Sequence, residues 1–449
     1  MITIPSNTLL VGFSKRDITP EKSVKMGGYG YRKGKSIGIH DRLYAHAIYF
    51  SYDDPNNNIT EFAMISLDIL GLFNKYVNYY RKIIEEKTGI PRYNILIHCV
   101  HNHSAPDTVG LTDVKGFFTR TLKLDNFRLV GRGILDAVTE AKKRAKPSKI
   151  GADKIESRKR LIINRREPKK DSRYKVGVIR IDDLNGELKG LIINYACHGT
   201  VLPSDNRKFS ADYIGYINKT IEKLSNKEVF SIYFNGICGD INPNLMDFDV
   251  KLDDVDKDVL YDGPSGLKGD FARARDIGSS IANTAWDLAK EIKTSDIKKV
   301  IIRHKEILIP TKNIVGKYTL KNTVMDLIFK IKYKLLMLVR KFSNISNYNF
   351  VKDENGNIKI KSEIQVIRIN DIVFPTLPGE FLINLGEKIL RESPSEKTFV
   401  IELANDCAGY FFSIEDYLEG GYESLMSFSP LGGTFVTNEV IGLLRESFK

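Results

Sequence analysis

The chain is poor in the residues that announce several common functions. It has four cysteines, Cys99, Cys197, Cys238 and Cys407, spread along 449 residues with no CxxC pair, so neither a zinc ribbon nor a redox dithiol is encoded. No uncharged apolar run approaches the roughly 18 residues needed to cross a bilayer. The first residues, MITIPSNTLLVGFSKRDITP, lack a basic stretch followed by a long apolar one. The expectation is therefore a chain without a secretory signal, in a reducing cytoplasmic compartment, either free there or peripheral on a membrane. There is no GxSxG elbow and no HExxH pair. The basic excess is diffuse: 68 Lys and Arg against 56 Asp and Glu, a formal charge of +12. Scattered lysines without a helix-turn-helix, zinc-finger or RNP signature argue against nucleic acid as a partner.

What is present is a series of short apolar runs that stop abruptly in polar residues or glycine. EFAMISLDIL ends at Asp68, YNILIHCVHNHS in histidines and KGLIINYACHGT at His198. VFSIYFNGICGD ends in a glycine loop, DIVFPTLPGEF at Glu380 and TFVIELANDCAGY at Tyr410. Each reads as a buried strand followed by a loop. Helical periodicity lies between them, in NKYVNYYRKIIEEKTG, DFARARDIGSSIANTAWDLAKEI and FLINLGEKILRES. Strands alternating with helices predict an α/β fold, a layered mixed sheet flanked by helices, with the functional groups at strand ends.

Residues 312–345 break this pattern. From Lys317 to Lys341 leucines, isoleucines and valines recur near helical spacing, and the basic residues face a single acid, Asp326. Such a segment is a helix packed on the domain with its lysines in water, one that lies in a membrane interface, or one that binds a partner.

Three of the seven histidines fall within six residues: His98, His101 and His103. In an extended segment alternate side chains share a face, so His101 and His103 point together and His98 points away. His98 is then expected to be satisfied by hydrogen bonds in the core. His198 ends another apolar strand. Glu380 precedes a helical pattern, where a carboxylate at a helix N-terminus would explain it equally well. Two histidines and a carboxylate are an ordinary ligand set for zinc, but their spacing alone does not select a metal.

The stretches VGFSKRDITP, GIHDRLYAHAIYF, ISLDILG, HCVHNHSAP, LIINRREP, YACHGT, FSADYIGY, CGDINPN, LPGEF and AGYFFSIEDYLEGGYES occur in that order. Taken together they resemble the neutral/alkaline non-lysosomal ceramidase family, over roughly residues 8–249 and 365–430. The resemblance implies one zinc ion per chain, held by His101, His198, Glu380 and Tyr410. It places His103, Arg165 and Tyr422 beside the reacting amide. It implies hydrolysis of the amide of an N-acyl lipid by metal-activated water, N-acylsphingosine giving a sphingoid base and a fatty acid. An amidase for another N-acyl compound, or a non-catalytic lipid- or partner-binding protein on the same scaffold, are the rival readings. Asn242 stands where the family has a serine sometimes assigned as nucleophile. Asp68 and Asp212 are candidates to orient the histidine ligands. The expected organisation is one catalytic domain over 1–449 without the family's C-terminal immunoglobulin-like domain. The basic segment at 312–345 is an insertion in that domain, and 317–341 is its candidate membrane contact.

Overall fold

The structure is a computed structural model that describes residues 8–56, 58–110, 124–168, 174–246, 269–311 and 349–449. The basic segment at 312–345 lies outside the described residues.

The main sheet is built from β1 (Leu9–Asp17), β2 (Tyr44–Asp53), β3 (Ile59–Leu67), β4 (Ile95–Cys99), β5 (Lys146–Glu156), β6 (Lys175–Asp183), β7 (Leu188–Tyr195) and β8 (Phe230–Asn235). Its order is β8-β7-β6-β5-β1-β2-β3-β4. The two end pairs, β7 with β8 and β3 with β4, are parallel, and the inner pairs are antiparallel. The alternation along β2 shows how the layers form. Ala45, Ala47 and Tyr49 face α1 (Asn74–Thr88) and α2 (Leu124–Lys143), whereas Ile48, Phe50 and Tyr52 join the core on the other face. This period of two is what a sheet covered on both sides requires.

Helices α3 (Asp212–Leu224) and α4 (Phe271–Glu291) cover the β6–β8 end of the first face. The second face meets a smaller sheet of β9 (Val300–Pro310), β10 (Phe350–Lys352), β11 (Ile358–Ile369) and β12 (Ile372–Pro375). Ile367, Ile369 and Phe374 of that sheet enter the same core as Phe50, Ile179 and Phe234. Beyond it lie α5 (Ile383–Glu392), α6 (Ile414–Glu419), α7 (Tyr422–Met426) and α8 (Gly432–Glu446). The layered mixed α/β architecture expected from the alternating pattern is what the chain adopts. The segment read as a strand before Tyr410 makes single bridges at Thr398, Ile401 and Ala404 rather than a continuous ladder.

β4 and β7, which lead into the histidine loops, are far apart in strand order but close in space. The Asn235 backbone N–H donates to His98 Nε2 at 3.1 Å and the Ser66 hydroxyl donates to the Tyr233 carbonyl at 2.6 Å. These bonds join β8 to β3 and β4, so the sheet curls until its two ends meet. His98 is thus consumed in the core, and burial first of all pushes its pKa down to about 3.

Candidate metal centre

Two loops leave the curled ends of the sheet and are zipped together. Asn102 bridges Gly199 in parallel fashion, and the His103 backbone N–H donates to the Gly199 carbonyl at 3.1 Å. A Cβ on Gly199 would stand 2.8 Å from the His101 carbonyl oxygen, which explains why glycine is needed at this crossing. His101 sits at φ 57°, in the left-handed region. The chain is therefore not extended there, contrary to the alternation argument. The His101 and His103 rings nevertheless meet, with centroids 4.8 Å apart, because the turn at His101 folds one ring towards the other.

His101 Nδ1 donates to the Leu70 carbonyl at 3.0 Å, and His198 Nδ1 to the Cys238 carbonyl at 2.5 Å. A carbonyl only accepts, so in each neutral ring Nε2 carries the lone pair. Both Nε2 atoms point at one carboxylate oxygen, Glu380 Oε2, at 3.2 Å from His101 and 3.1 Å from His198. Glu380 reaches this point on a two-residue strand, Glu380–Phe381, paired in parallel with Tyr410–Phe411. The Gly239 N–H binds the Phe381 carbonyl at 2.8 Å on the other side. The helix-terminus explanation for Glu380 fails, since α5 begins only at Ile383 and has no acid in its first turn.

Burial lowers the His198 pKa to about 4, which keeps the ring neutral. Burial alone would raise the Glu380 carboxyl, but the neighbouring His101 and His198 rings hold it well below the usual carboxylate range. Two imidazole nitrogens and a carboxylate oxygen thus converge, a donor set that suits a cation. Their separations of 3.1 and 3.2 Å match the about 3.3 Å edge of a tetrahedral ion with bonds of about 2.0 Å. His101, His103 and His198 offer nitrogens that all lie within 4.8 Å of one another and could hold a metal ion.

His103 differs from the other two histidines. Both of its ring nitrogens are buried without a hydrogen-bond partner. Burial, then the nearby His101 and His198 rings, push its pKa well below the ordinary imidazole value. The 27–32 segment walls it in. Gly28, at φ +94°, presses on the ring, Tyr29 meets its edge with centroids 4.9 Å apart, and Arg32 Nη1 donates to the His103 carbonyl at 2.7 Å.

Tyr410 faces Glu380. Burial first, and the Glu380 charge second, raise its phenol well above its usual pKa, with Arg165 opposing. Arg165 follows the short strand Ile162–Asn164, which pairs with Ile241–Pro243. Its guanidinium lies 5.7 Å from the Tyr410 ring centre. Its Nε donates to Glu423 Oε1 at 2.8 Å, its Nη1 to Asn242 Oδ1 at 3.2 Å, and its Nη2 to the Gly239 carbonyl. Tyr422 is at the rim, 48% exposed, with its ring 5.7 Å from that of Tyr410. Contacts thus link the seven residues singled out in the sequence into one cluster, with Arg165 and Tyr422 joined to the histidines and Glu380 through Tyr410.

Asp68 and Asp212 do not orient the histidines. Asp68 Oδ2 accepts the Tyr44 N–H, and Asp212 accepts the N–H groups of Val201, Leu202 and Tyr213. The backbone carbonyls of Leu70 and Cys238 take that role, and a carbonyl leaves no side-chain signal in a sequence. Glu423 carries no local signal either, although it follows Tyr422 directly in the GGYES stretch. Only its partners, Arg165 and Arg166, reveal it.

The sequence matches the description "neutral/alkaline non-lysosomal ceramidase, N-terminal" over residues 9–307, two thirds of its length. The chain belongs to this family. Neutral ceramidase B of Dictyostelium discoideum is 22% identical over 498 aligned positions, covering 92% of this chain and 68% of the relative. Neutral ceramidase of Pseudomonas aeruginosa is 24% identical over 62% of this chain and 41% of its own length. The crystal structure of the Pseudomonas neutral ceramidase superposes with a TM-score of 0.74 at 20% identity, covering 97% of this chain and 74% of that one. At that identity the superposition establishes a shared ceramidase fold.

Proposed function

We propose that the chain hydrolyses the amide of an N-acyl lipid of the ceramide kind, with one zinc ion held by His101, His198, Glu380 and Tyr410. The observation that supports the reading most is the convergence of two imidazole Nε2 atoms on one carboxylate oxygen. Nitrogen and oxygen donors suit zinc, and membership of the ceramidase family supplies the amide. Such an ion, when bound, polarises a carbonyl oxygen and lowers the pKa of a water molecule.

The remaining chemistry is assigned to the chain's own side chains. Leu70 and Cys238 hold the Nδ1 hydrogens of His101 and His198 and so aim both Nε2 atoms inward. Arg165, clamped by Glu423 and kept cationic by Tyr410 and Glu423 in spite of burial, stabilises negative charge on the amide oxygen, with Tyr422 beside it. His103, neutral and free of competing hydrogen bonds, takes a proton at a ring nitrogen from the attacking water and passes it to the departing amine, so the ring returns to its neutral form. Asn242 has no nucleophilic hydroxyl and is occupied by Arg165, so no acyl-enzyme forms there.

We place the activity in one catalytic domain over the whole chain, with 312–345 as an insertion whose stretch 317–341 contacts membrane. Four buried, unpaired cysteines support a reducing, cytoplasmic setting.

The test is the metal content of the purified protein beside His101→Ala, with fatty-acid release from N-acylsphingosine and from a short N-acyl amine. One zinc per chain, lost with turnover in the variant, supports the reading, and the preferred substrate decides between a ceramide-like lipid and another amide. Wild-type protein with neither zinc nor turnover would refute it.

A further inference from the structure

The loop that walls in His103 continues outward into an exposed apolar tip. Tyr31, Ile37 and Ile39 are 61%, 65% and 42% exposed. Scattered exposed hydrophobes are normal, but three within nine residues beside a functional site mark a contact surface. The tip is also held in place. The Ser36 N–H donates to the Val24 carbonyl and the Ile37 N–H to the Arg207 carbonyl, both at 2.8 Å. Gly38 and Ile39 pair in parallel with Lys208 and Phe209, and Arg207 Nε donates to the Lys35 carbonyl at 2.9 Å. The backbone is thus spent on holding these side chains in water, a placement that burial in the core would not produce.

The charge around the tip is mainly positive. Residues 21–40 and 203–208 contain seven Lys and Arg, namely Lys22, Lys25, Arg32, Lys33, Lys35, Arg207 and Lys208, against two acids, Glu21 and Asp205. Lys33, Lys35 and Lys208 are exposed beside the apolar side chains. A second copy of this chain would bring like charges together. A surface with acidic headgroups over an apolar interior complements both features at once.

We propose that the tip formed by Tyr31, Ile37 and Ile39, ringed by Lys33, Lys35 and Lys208, docks the protein on bilayers containing anionic lipid. The apolar side chains enter the headgroup boundary and the lysines remain among the phosphates. This surface is built from residues other than 317–341, and it does not depend on the amidase reading, because vesicle binding is measured without turnover. Its position gives it a consequence for the site: Gly28, Tyr29 and Arg32, which wall His103, belong to the docked loop.

The experiment uses the full chain and vesicles of phosphatidylcholine, alone or mixed with phosphatidylserine. Co-sedimentation is expected only with the mixed vesicles and is expected to weaken with salt. Lys33→Glu/Lys35→Glu and Ile37→Asp/Ile39→Asp should each lower the partition at least about tenfold, with unchanged thermal unfolding showing that the variants are folded. Because the four native cysteines are buried, an environment-sensitive dye on Ile37→Cys reports this loop selectively, and its emission should shift to the blue on the mixed vesicles. Absent or equal binding of wild type to both vesicles, full binding by both double variants, or a dye that stays in water while the protein sediments would each overturn the proposal. The last result would place the contact elsewhere in the chain.

Discussion

Arg165 donates through Nε to Glu423 Oε1 at 2.8 Å, across 258 residues of sequence, with the carboxylate almost wholly buried. The other Glu423 oxygen takes Arg166 Nη1 at 3.2 Å. One acid therefore fixes two consecutive guanidinium groups. Glu423→Gln cannot offer acceptors to both, since one side of the amide presents hydrogens. We expect turnover to fall about ten- to a hundredfold and stability by about 1–3 kcal/mol, with metal content unchanged. Metal loss in this variant would show that Glu423 supports the ligands rather than Arg165.

His103 is assigned to proton transfer and not to metal binding. His103→Ala should keep the metal and lose about 10²–10⁴ in rate, whereas His198→Ala should lose both. An alanine variant depleted of metal would make His103 a ligand.

Gly28→Ala tests the wall from behind. The added Cβ would stand 2.3 Å from the His103 ring at a backbone φ of +94°. The ring must move, so a reduced kcat with retained metal is expected, along with a stability loss above about 1 kcal/mol. A variant as active as wild type would mean that the ring's position is not critical.

Asp68 gives a pH signature. Burial raises its pKa from 3.8 to about 7. Between about pH 4 and 7 the folded chain holds a proton that the unfolded chain has released, so this group's contribution falls as pH rises through that window. Above it the buried charge costs on the order of 2–4 kcal/mol. Asp68→Asn keeps an acceptor for the Tyr44 N–H and should be more stable than wild type at pH 8 yet equal to it near pH 4. Denaturant melts at the two values decide this, and a difference independent of pH would contradict it.

Far from the site, Arg81 is fully buried and pairs with Glu363, whose other oxygen lies 3.0 Å from His304 Nε2. Arg81 Nε also binds the Ile95 carbonyl at the start of β4. Arg81→Met strands a buried carboxylate and should cost about 3–5 kcal/mol, much of it recovered by adding Glu363→Leu. Equal losses in the single and double variants would show that packing around Arg81 dominates.

The elements that follow from local pattern were legible in the sequence. α1, α4 and α5 lie within a residue or two of their periodic stretches, because an amphipathic stripe specifies a helix wherever it packs. Strand ends carrying His101, His198 and Glu380 could be read because an apolar run that stops in a titratable residue is a one-dimensional signal. The resemblance added Tyr410, Arg165 and Tyr422, none of which stands out alone. The facing argument for His101 and His103 led to the right pair through the wrong geometry, since a single left-handed residue does not show in a pattern of apolar positions.

Tertiary structure alone decided the rest. It curled the sheet so that β4 and β7, distant in strand order, deliver their histidines to one point. It chose the carbonyls of Leu70 and Cys238 over Asp68 and Asp212 as the partners of those histidines. It set Glu423 behind Arg165 and Gly28 behind His103. The physical reason is common to all of these. Apolar periodicity is written in neighbouring residues, whereas hydrogen-bond direction, backbone acceptors and close approach are properties of segments that meet only after the chain has folded.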